Sequence, residues 1–98
     1  MYILEKTNTF DIWFKRLKDI RAKAKILTKL KKIELGKLGD YKFVGKGVSE
    51  FRITYGPGYR IYYTLKGNSI ILLLIGGDKS TQSKDIKKAQ QLLNKLEK

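Results

Sequence analysis

Val48-Ser49-Glu50-Phe51-Arg52-Ile53-Thr54-Tyr55-Gly56-Pro57-Gly58-Tyr59-Arg60-Ile61-Tyr62-Tyr63 reads as two strands around one tight turn. Pro57 presets φ in the turn, and the flanking glycines permit positive φ. Before the turn, Phe51 and Ile53 alternate with Glu50 and Arg52, the period of a strand. After it, Ile61 and Tyr63 face away from Arg60 and Tyr62. Arg52 and Arg60 therefore lie on strands joined by a short turn and can converge.

Further strands follow on both sides of this hairpin. Lys66-Gly67-Asn68-Ser69 is a second turn, leading into the apolar run Ile70–Ile75, which suits the middle of a sheet. Tyr41 and Phe43 begin the strand region, and Tyr2-Ile3-Leu4 reads as a first strand. Helical spacing marks the rest. Phe10, Trp13, Phe14, Leu17 and Ile20 form one apolar stripe, with Asn8 or Thr9 as its cap. Ile26, Leu27, Leu30 and Ile33 form a second, ended by Gly36. The stripes do not align across Asp19 to Lys23, which predicts two helices, or one bent helix, forming a hairpin. Ile86, Ala89, Leu92, Leu93 and Leu96 predict a last helix, capped by Ser80 or Thr81. The expected class is α+β, in the order β-α-α-β-β-β(-β)-α, with helices covering one face of a mainly antiparallel twisted sheet. One domain is expected over residues 1–98.

Composition narrows the chemistry. The chain has no cysteine and no histidine, which removes disulfides, thiolate metal sites, histidine triads and histidine-ligated zinc. No apolar run approaches the roughly 20 residues of a membrane span. Met1 to Phe10 lacks the basic start and apolar stretch of a secretory signal, so the cytoplasm is the expected compartment. Twenty-two Lys and Arg oppose nine Asp and Glu, for a formal charge of +13. Such a field attracts phosphate backbones, acidic segments or anionic membrane. Ten of the basic residues lie between Lys15 and Lys37, against Asp19 and Glu34. They read as a solvated helix face or as a surface that follows phosphates without reading bases.

Two motifs concern phosphate directly. Gly76-Gly77-Asp78-Lys79-Ser80-Thr81 stands between a strand and a helix, but its glycine spacing is wrong for a nucleotide-binding P-loop. It reads as a strand-to-helix turn in which Lys79 and the helix N-terminus can meet one phosphate of a polymer. In the central hairpin, arginines for phosphate and tyrosines for stacking on unpaired bases suit single-stranded RNA better than a duplex. The bland alternative is an ordinary sheet face with cross-strand pairs such as Glu50 with Arg60.

These residues resemble a known family. The run Gly39-Asp40-Tyr41-Lys42 to Gly45, then Gly47 to Ile53, Gly56 to Tyr62, and Gly76-Gly77-Asp78-Lys79-Ser80-Thr81-Gln82 is similar to the RelE/ParE superfamily, closest to its HigB-like "addiction module killer protein" branch. The resemblance spans nearly the whole chain and includes Phe10, Trp13 and Leu17. It implies a RelE-like fold and a toxin of a type II toxin–antitoxin pair. Its cognate antitoxin would be of the helix-turn-helix kind common in this branch, encoded alongside.

RelE-like members are metal-independent ribonucleases, needing no cofactor, that cut messenger RNA, many of them on the ribosome, with the 2′-hydroxyl as nucleophile. ParE-like members instead poison DNA gyrase, and a non-toxic RNA-binding module is a third reading. The resemblance carries Arg60 onto an arginine at the scissile phosphate, Arg52 onto a basic residue for charge stabilisation or proton transfer, and Lys79 onto a further cation. The family's C-terminal tyrosine or histidine has no counterpart, because neither follows Tyr63; Gln82 or Asp85 would occupy that space. Glu50 or Lys42 is the expected base. Lys42, Lys46, Tyr59, Tyr62 and Gln82 are the expected substrate-binding residues.

Overall fold

A computed structural model of the protein describes residues 1–97. Strand β1 (Ile3–Lys6) leads into helices α1 (Asn8–Arg16) and α2 (Ile20–Glu34). Strands β2 (Tyr41–Gly45), β3 (Val48–Ile53), β4 (Tyr59–Lys66) and β5 (Ile70–Asp78) follow, then a single 3₁₀ turn (Lys79–Thr81) and helix α3 (Gln82–Leu96). The sheet order is β1-β5-β4-β3-β2, antiparallel except where β1 runs parallel to β5. The result is an α+β architecture compatible with the RelE-like fold. No helix among the described residues is long and apolar enough to cross a membrane.

The two helices before β2 are separate because Asp19 starts a new one. Its carboxylate accepts hydrogen bonds from the backbone N–H of Arg21 at 2.9 Å and of Ala22 at 3.3 Å. The helical phase restarts there, so Ile20 is exposed rather than part of the α1 stripe. Leu27 and Leu96 are likewise exposed. The cap of α1 is Thr7, not Asn8 or Thr9. Its hydroxyl accepts from Phe10 N–H at 3.0 Å and donates to the carbonyl of Leu74 at 2.6 Å, fastening the helix start to β5.

The sheet is covered on both faces, which corrects the expectation of helices on one. On the first face, Phe10, Ala22, Ile26, Leu30 and Ile33 of the helical hairpin pack on Phe51, Ile53, Ile61, Tyr63, Ile71 and Leu73. On the second, Ala89 and Leu93 of α3 pack on Val48, Tyr62, Leu74 and Ile75. The continuous apolar run in β5 has this physical reason, since a strand buried on both sides has no polar side to alternate with.

A register shift between β4 and β5 opposes Tyr62 to Ile75 and Tyr63 to Leu73, so Leu74 is an extra residue. Such a bulge lets Leu74 and Ile75 both serve the α3 face. Gly76 and Gly77 then fall where neighbours come closest. A Cβ on Gly76 would collide with the Trp13 ring, and one on Gly77 with the Asp85 carboxylate. The glycine pair is thus a packing requirement of both sheet faces, not a phosphate-binding loop.

Candidate functional site

Cross-strand register builds the site. Lys42, Glu50, Tyr62 and Ile75 form one row across β2, β3, β4 and β5. Arg52, Arg60 and Gly77 form the next. Both rows lie on the α3 face, near the β3–β4 turn and the start of α3.

Glu50 is the centre of this arrangement and is fully buried. Its Oε2 accepts a hydrogen bond from Arg52 Nε at 2.8 Å and lies 3.6 Å from Arg60 Nε. Gln82, in the first turn of α3, donates Nε2 to both carboxylate oxygens, at 3.1 and 3.3 Å. A buried carboxylate needs such partners, because an isolated one would cost far more than the fold can supply. Glu50 in turn holds two guanidiniums side by side that would otherwise repel. The Arg52 guanidinium is pushed above its ordinary value, first by the hydrogen bond to Glu50, against some loss of hydration.

The cations differ in their freedom. Arg52 keeps 32% of its side chain exposed and Arg60 12%. Arg60 Nη1 donates to the carbonyl of Gly58 at 3.0 Å. Gly58 has φ +78, and a Cβ placed on it would lie 3.2 Å from Arg60 Nη1 and 3.6 Å from Lys79 Cβ. The glycine therefore lets the turn sit tightly against both residues, and it brings the exposed Lys79 beside Arg60. Arg52 and Arg60 thus share one corner around a buried carboxylate, and the exposed Lys79 side chain springs from the edge of that corner.

The start of α3 is held by the same corner. The Asp78 carboxylate accepts from Ser80 N–H at 2.8 Å and caps the 3₁₀ turn. Of the two expected caps, Thr81 stands at the N-cap position of α3, but its hydroxyl makes no cap hydrogen bond and donates to Asp85 at 2.5 Å instead. Asp85 is buried against Gly77.

Several expected site residues lie elsewhere or are closed off. Glu50 has both oxygens engaged and no exposed surface, so it is placed to position arginines rather than to reach a substrate hydroxyl. Tyr59 belongs to the helical-hairpin face, sharing the parity of Ile61 and Tyr63, and its ring meets Trp13 edge-on at 6.3 Å. Tyr62 lies on the site face but is fully buried under Glu50 and α3. Neither ring offers a face for base stacking. The Tyr62 hydroxyl has no hydrogen-bond partner among the described residues. Burial above all, and then the charges of Glu50 and Asp85, push its pKa well above the phenol range and keep it neutral.

Lys42 is exposed on the edge strand directly opposite Glu50. Lys46 is in the β2–β3 turn, at φ +52, and lines a separate cleft with Lys87, Gln90 and Asn94 of α3. The structure thus brings Arg52, Arg60, Glu50 and Gln82 together with Lys79 at their edge, and leaves Lys46 and Tyr59 outside. The packing of Asp85 on Gly77 lies outside the sequence expectations; its available signal is an Asp one turn into a helix after a Gly-Gly pair. Among the described residues no three acidic, Cys or His side chains gather as a metal site would need.

Comparison with known proteins gives this corner its context. The family model for the phage derived protein Gp49-like group (DUF891) matches residues 12–94. The chain belongs to the Gp49-like family. That family is of the RelE/HigB-like toxin type and is associated with toxin–antitoxin toxins, whose usual partner is a cognate antitoxin. A relative in Haemophilus influenzae strain Rd, an uncharacterized protein, is 47% identical over 93 residues, covering 95% of this chain and 94% of the relative. The match begins at Ile12 and ends at Asn94. It thereby takes in both arginine-bearing strands, the glycine pair and the α3 face that closes over them.

Proposed function

We propose that this Gp49-like protein is a toxin that cleaves messenger RNA on the ribosome, without a metal, at the corner formed by Arg52, Arg60 and Lys79. The observation that supports this reading most is that cluster. Two arginines are fixed on a buried carboxylate at a surface corner, and the Lys79 side chain starts beside them. Attack of the 2′-oxygen on phosphorus forms an O–P bond, breaks the bond to the 5′-oxygen, and passes through a dianionic phosphorane. Cations already aimed at that charge, and paying no reorganisation as it forms, are the largest kind of catalytic contribution. Arg52 and Lys79 reach solvent and meet the phosphate; Arg60 lies between them.

Arginine is a poor base, with a pKa above about 12. The proton-transfer steps are therefore the modest part of this chemistry. Lys42 is the side chain best placed for them, beside the cluster and exposed. In-line positioning of the message by the ribosome supplies much of what an acid–base pair would otherwise contribute.

An antitoxin that pulls α3 from the sheet would remove Gln82 from Glu50 and loosen both arginines, which gives inhibition without covering the site. The test is primer extension on messages after induced expression, with Arg60→Ala and Arg60→Lys beside the wild type. Discrete new 5′ ends that vanish in Arg60→Ala support the reading. Intact messages with DNA damage point to a gyrase inhibitor and defeat it.

A further inference from the structure

A second basic surface lies next to the cluster and is not used by the chemistry above. Between α2 and the end of β3 runs a groove of about 370 Å³, lined by Lys25, Thr28, Lys29, Lys32, Arg52 and Thr54. Its only apolar lining is Ala24 and Ile53. Three lysines and two threonines line it, and the strand that bears Arg52 links the groove to the cluster. The β3 edge is open here because β2 pairs only as far as Phe51, after which Arg52 N–H meets the carbonyl of Asp40 at 3.1 Å.

The lysines have different tasks. Lys29 is part of the floor. Its ammonium donates to the carbonyl of Leu38 at 2.6 Å and sits 5.3 Å from the Phe51 ring centre. Burial pulls its pKa below the ordinary lysine value, only partly offset by Asp40. Lys25 is exposed and stands 5.2 Å over the Tyr55 ring. Lys32 is exposed, two helical turns further along, about 10 Å at 1.5 Å per residue. The groove thus presents the outward-facing charges of Lys25 and Lys32 beside the strand that carries Arg52.

We infer that the α2–β3 groove holds the backbone of the same RNA strand beyond the scissile phosphate, with Lys25 and Lys32 each meeting one phosphate. The inference rests on the nuclease reading. RNA is favoured over an acidic protein segment because the lining has no aromatic side chain and Ile53 is its one large apolar residue, whereas protein interfaces centre on aromatic and arginine anchors in packed pockets. It does offer the exposed ammoniums of Lys25 and Lys32, which phosphate contacts use.

The experiment uses 5′-fluorescein RNA with 2′-O-methyl at every ribose, which cannot be cut, as a 4-mer and a 12-mer. Fluorescence anisotropy against salt is measured for the wild type and for the Lys25→Gln/Lys32→Gln double variant. The wild type should bind the 12-mer more tightly than the 4-mer. Two lost contacts on a single strand should lower the salt slope by about 1.4 and weaken 12-mer binding roughly tenfold at 0.15 M salt. The 4-mer, too short to fill the groove, should bind both proteins alike.

An unchanged slope and affinity for the 12-mer overturns the inference, while Arg60→Ala still abolishing cleavage leaves the nuclease reading standing. A wild type that cuts no message defeats both. If the double variant instead loses poly-L-glutamate and keeps RNA, the groove takes an acidic protein segment and the inference is wrong.

Discussion

Replacing Glu50 with glutamine keeps the shape of the side chain and removes its charge. In the native protein the carboxylate is fully buried, receives Arg52 Nε at 2.8 Å and Gln82 Nε2 at 3.1 Å, and stands 3.6 Å from Arg60 Nε. Removing one partner of a fully buried pair costs about 3–5 kcal/mol, because a charge is left uncompensated. Here the loss is smaller, because the guanidiniums reach solvent in part and glutamine keeps one acceptor oxygen. We expect Glu50→Gln to destabilise the fold by about 2 kcal/mol, a fall of roughly 10 °C in Tm for a domain of this size.

Urea unfolding gives the first number, and a pH–rate profile of RNA cleavage gives the second. A positioning carboxylate lowers the rate by loosening the arginines but leaves the shape of the profile unchanged. A general base would remove its acidic limb. If the variant unfolds within 0.5 kcal/mol of the wild type and yet loses the acidic limb, Glu50 is the base and its assignment here as the holder of two arginines is refuted.

Arg60→Ala should cut single-turnover cleavage about 10²–10³-fold, the scale of one lost oxyanion donor, with near-native circular dichroism; a loss under threefold would move the chemistry away from this corner. Gly77→Ala should destabilise by about 1–3 kcal/mol through collision with the Asp85 carboxylate, and Asp85→Ala in the same chain should recover part of it. Simple additivity in that double variant would show that the two residues do not meet. Partial loss of hydration raises the Asp19 pKa, but hydrogen bonds from Ala22 N–H, the Tyr55 hydroxyl and Arg21 N–H outweigh it and hold the group below the ordinary carboxylate value of 3.8. A depressed folded pKa adds stability above the unfolded value and loses it as pH falls through the folded one. Asp19→Asn keeps the cap, so its deficit against wild type in urea midpoint should shrink between pH 5 and pH 3; a constant deficit would contradict this.

The strands and their turns were legible because alternation, proline and glycine act locally. Phe51 and Ile53 did separate from Glu50 and Arg52 as read, and Arg52 is directly opposite Arg60. The same alternation places Tyr59 with Ile61 and Tyr63, so its burial on the hairpin face was readable and was overlooked in favour of its chemistry. Which face each helix covers was not local information. Both α3 and the helical hairpin carry good apolar stripes, and only the unbroken run Ile70–Ile75 hinted that the sheet is buried twice. The cap of α1 was off by one or two residues because Thr7 gains from a tertiary contact, its hydroxyl also donating to Leu74, whereas the N-cap position of α3 at Thr81 was legible. The burial of Glu50 was illegible for a deeper reason. It depends on Arg52, Arg60 and Gln82 arriving from three elements, and glutamate is almost never fully buried unless paired.

That burial also changes the meaning of the large positive charge. Thirteen excess charges on a small chain make phosphate attraction easy and selective placement hard, since every lysine on α2 attracts the same backbone. A site that acts on one phosphodiester needs cations that do not move with the rest. Glu50 fixes Arg52 and Arg60 at the cost of one unit of charge, and Gln82 ties that fixture to α3, so the proposed chemistry depends on the helix staying docked. Surface lysines such as Lys25 and Lys32 lose one contact each when removed, whereas the corner fails as a unit. Paired substitutions separate the two cases. Lys25→Gln and Lys32→Gln should weaken RNA binding by multiplying effects, because the residues are about 10 Å apart and share no partner. Arg52→Gln and Gln82→Ala should be far less than multiplicative in cleavage, because each already releases the Glu50 anchor. Independent effects at the corner, measured in single turnover with saturating RNA, would mean that Glu50 does not couple them.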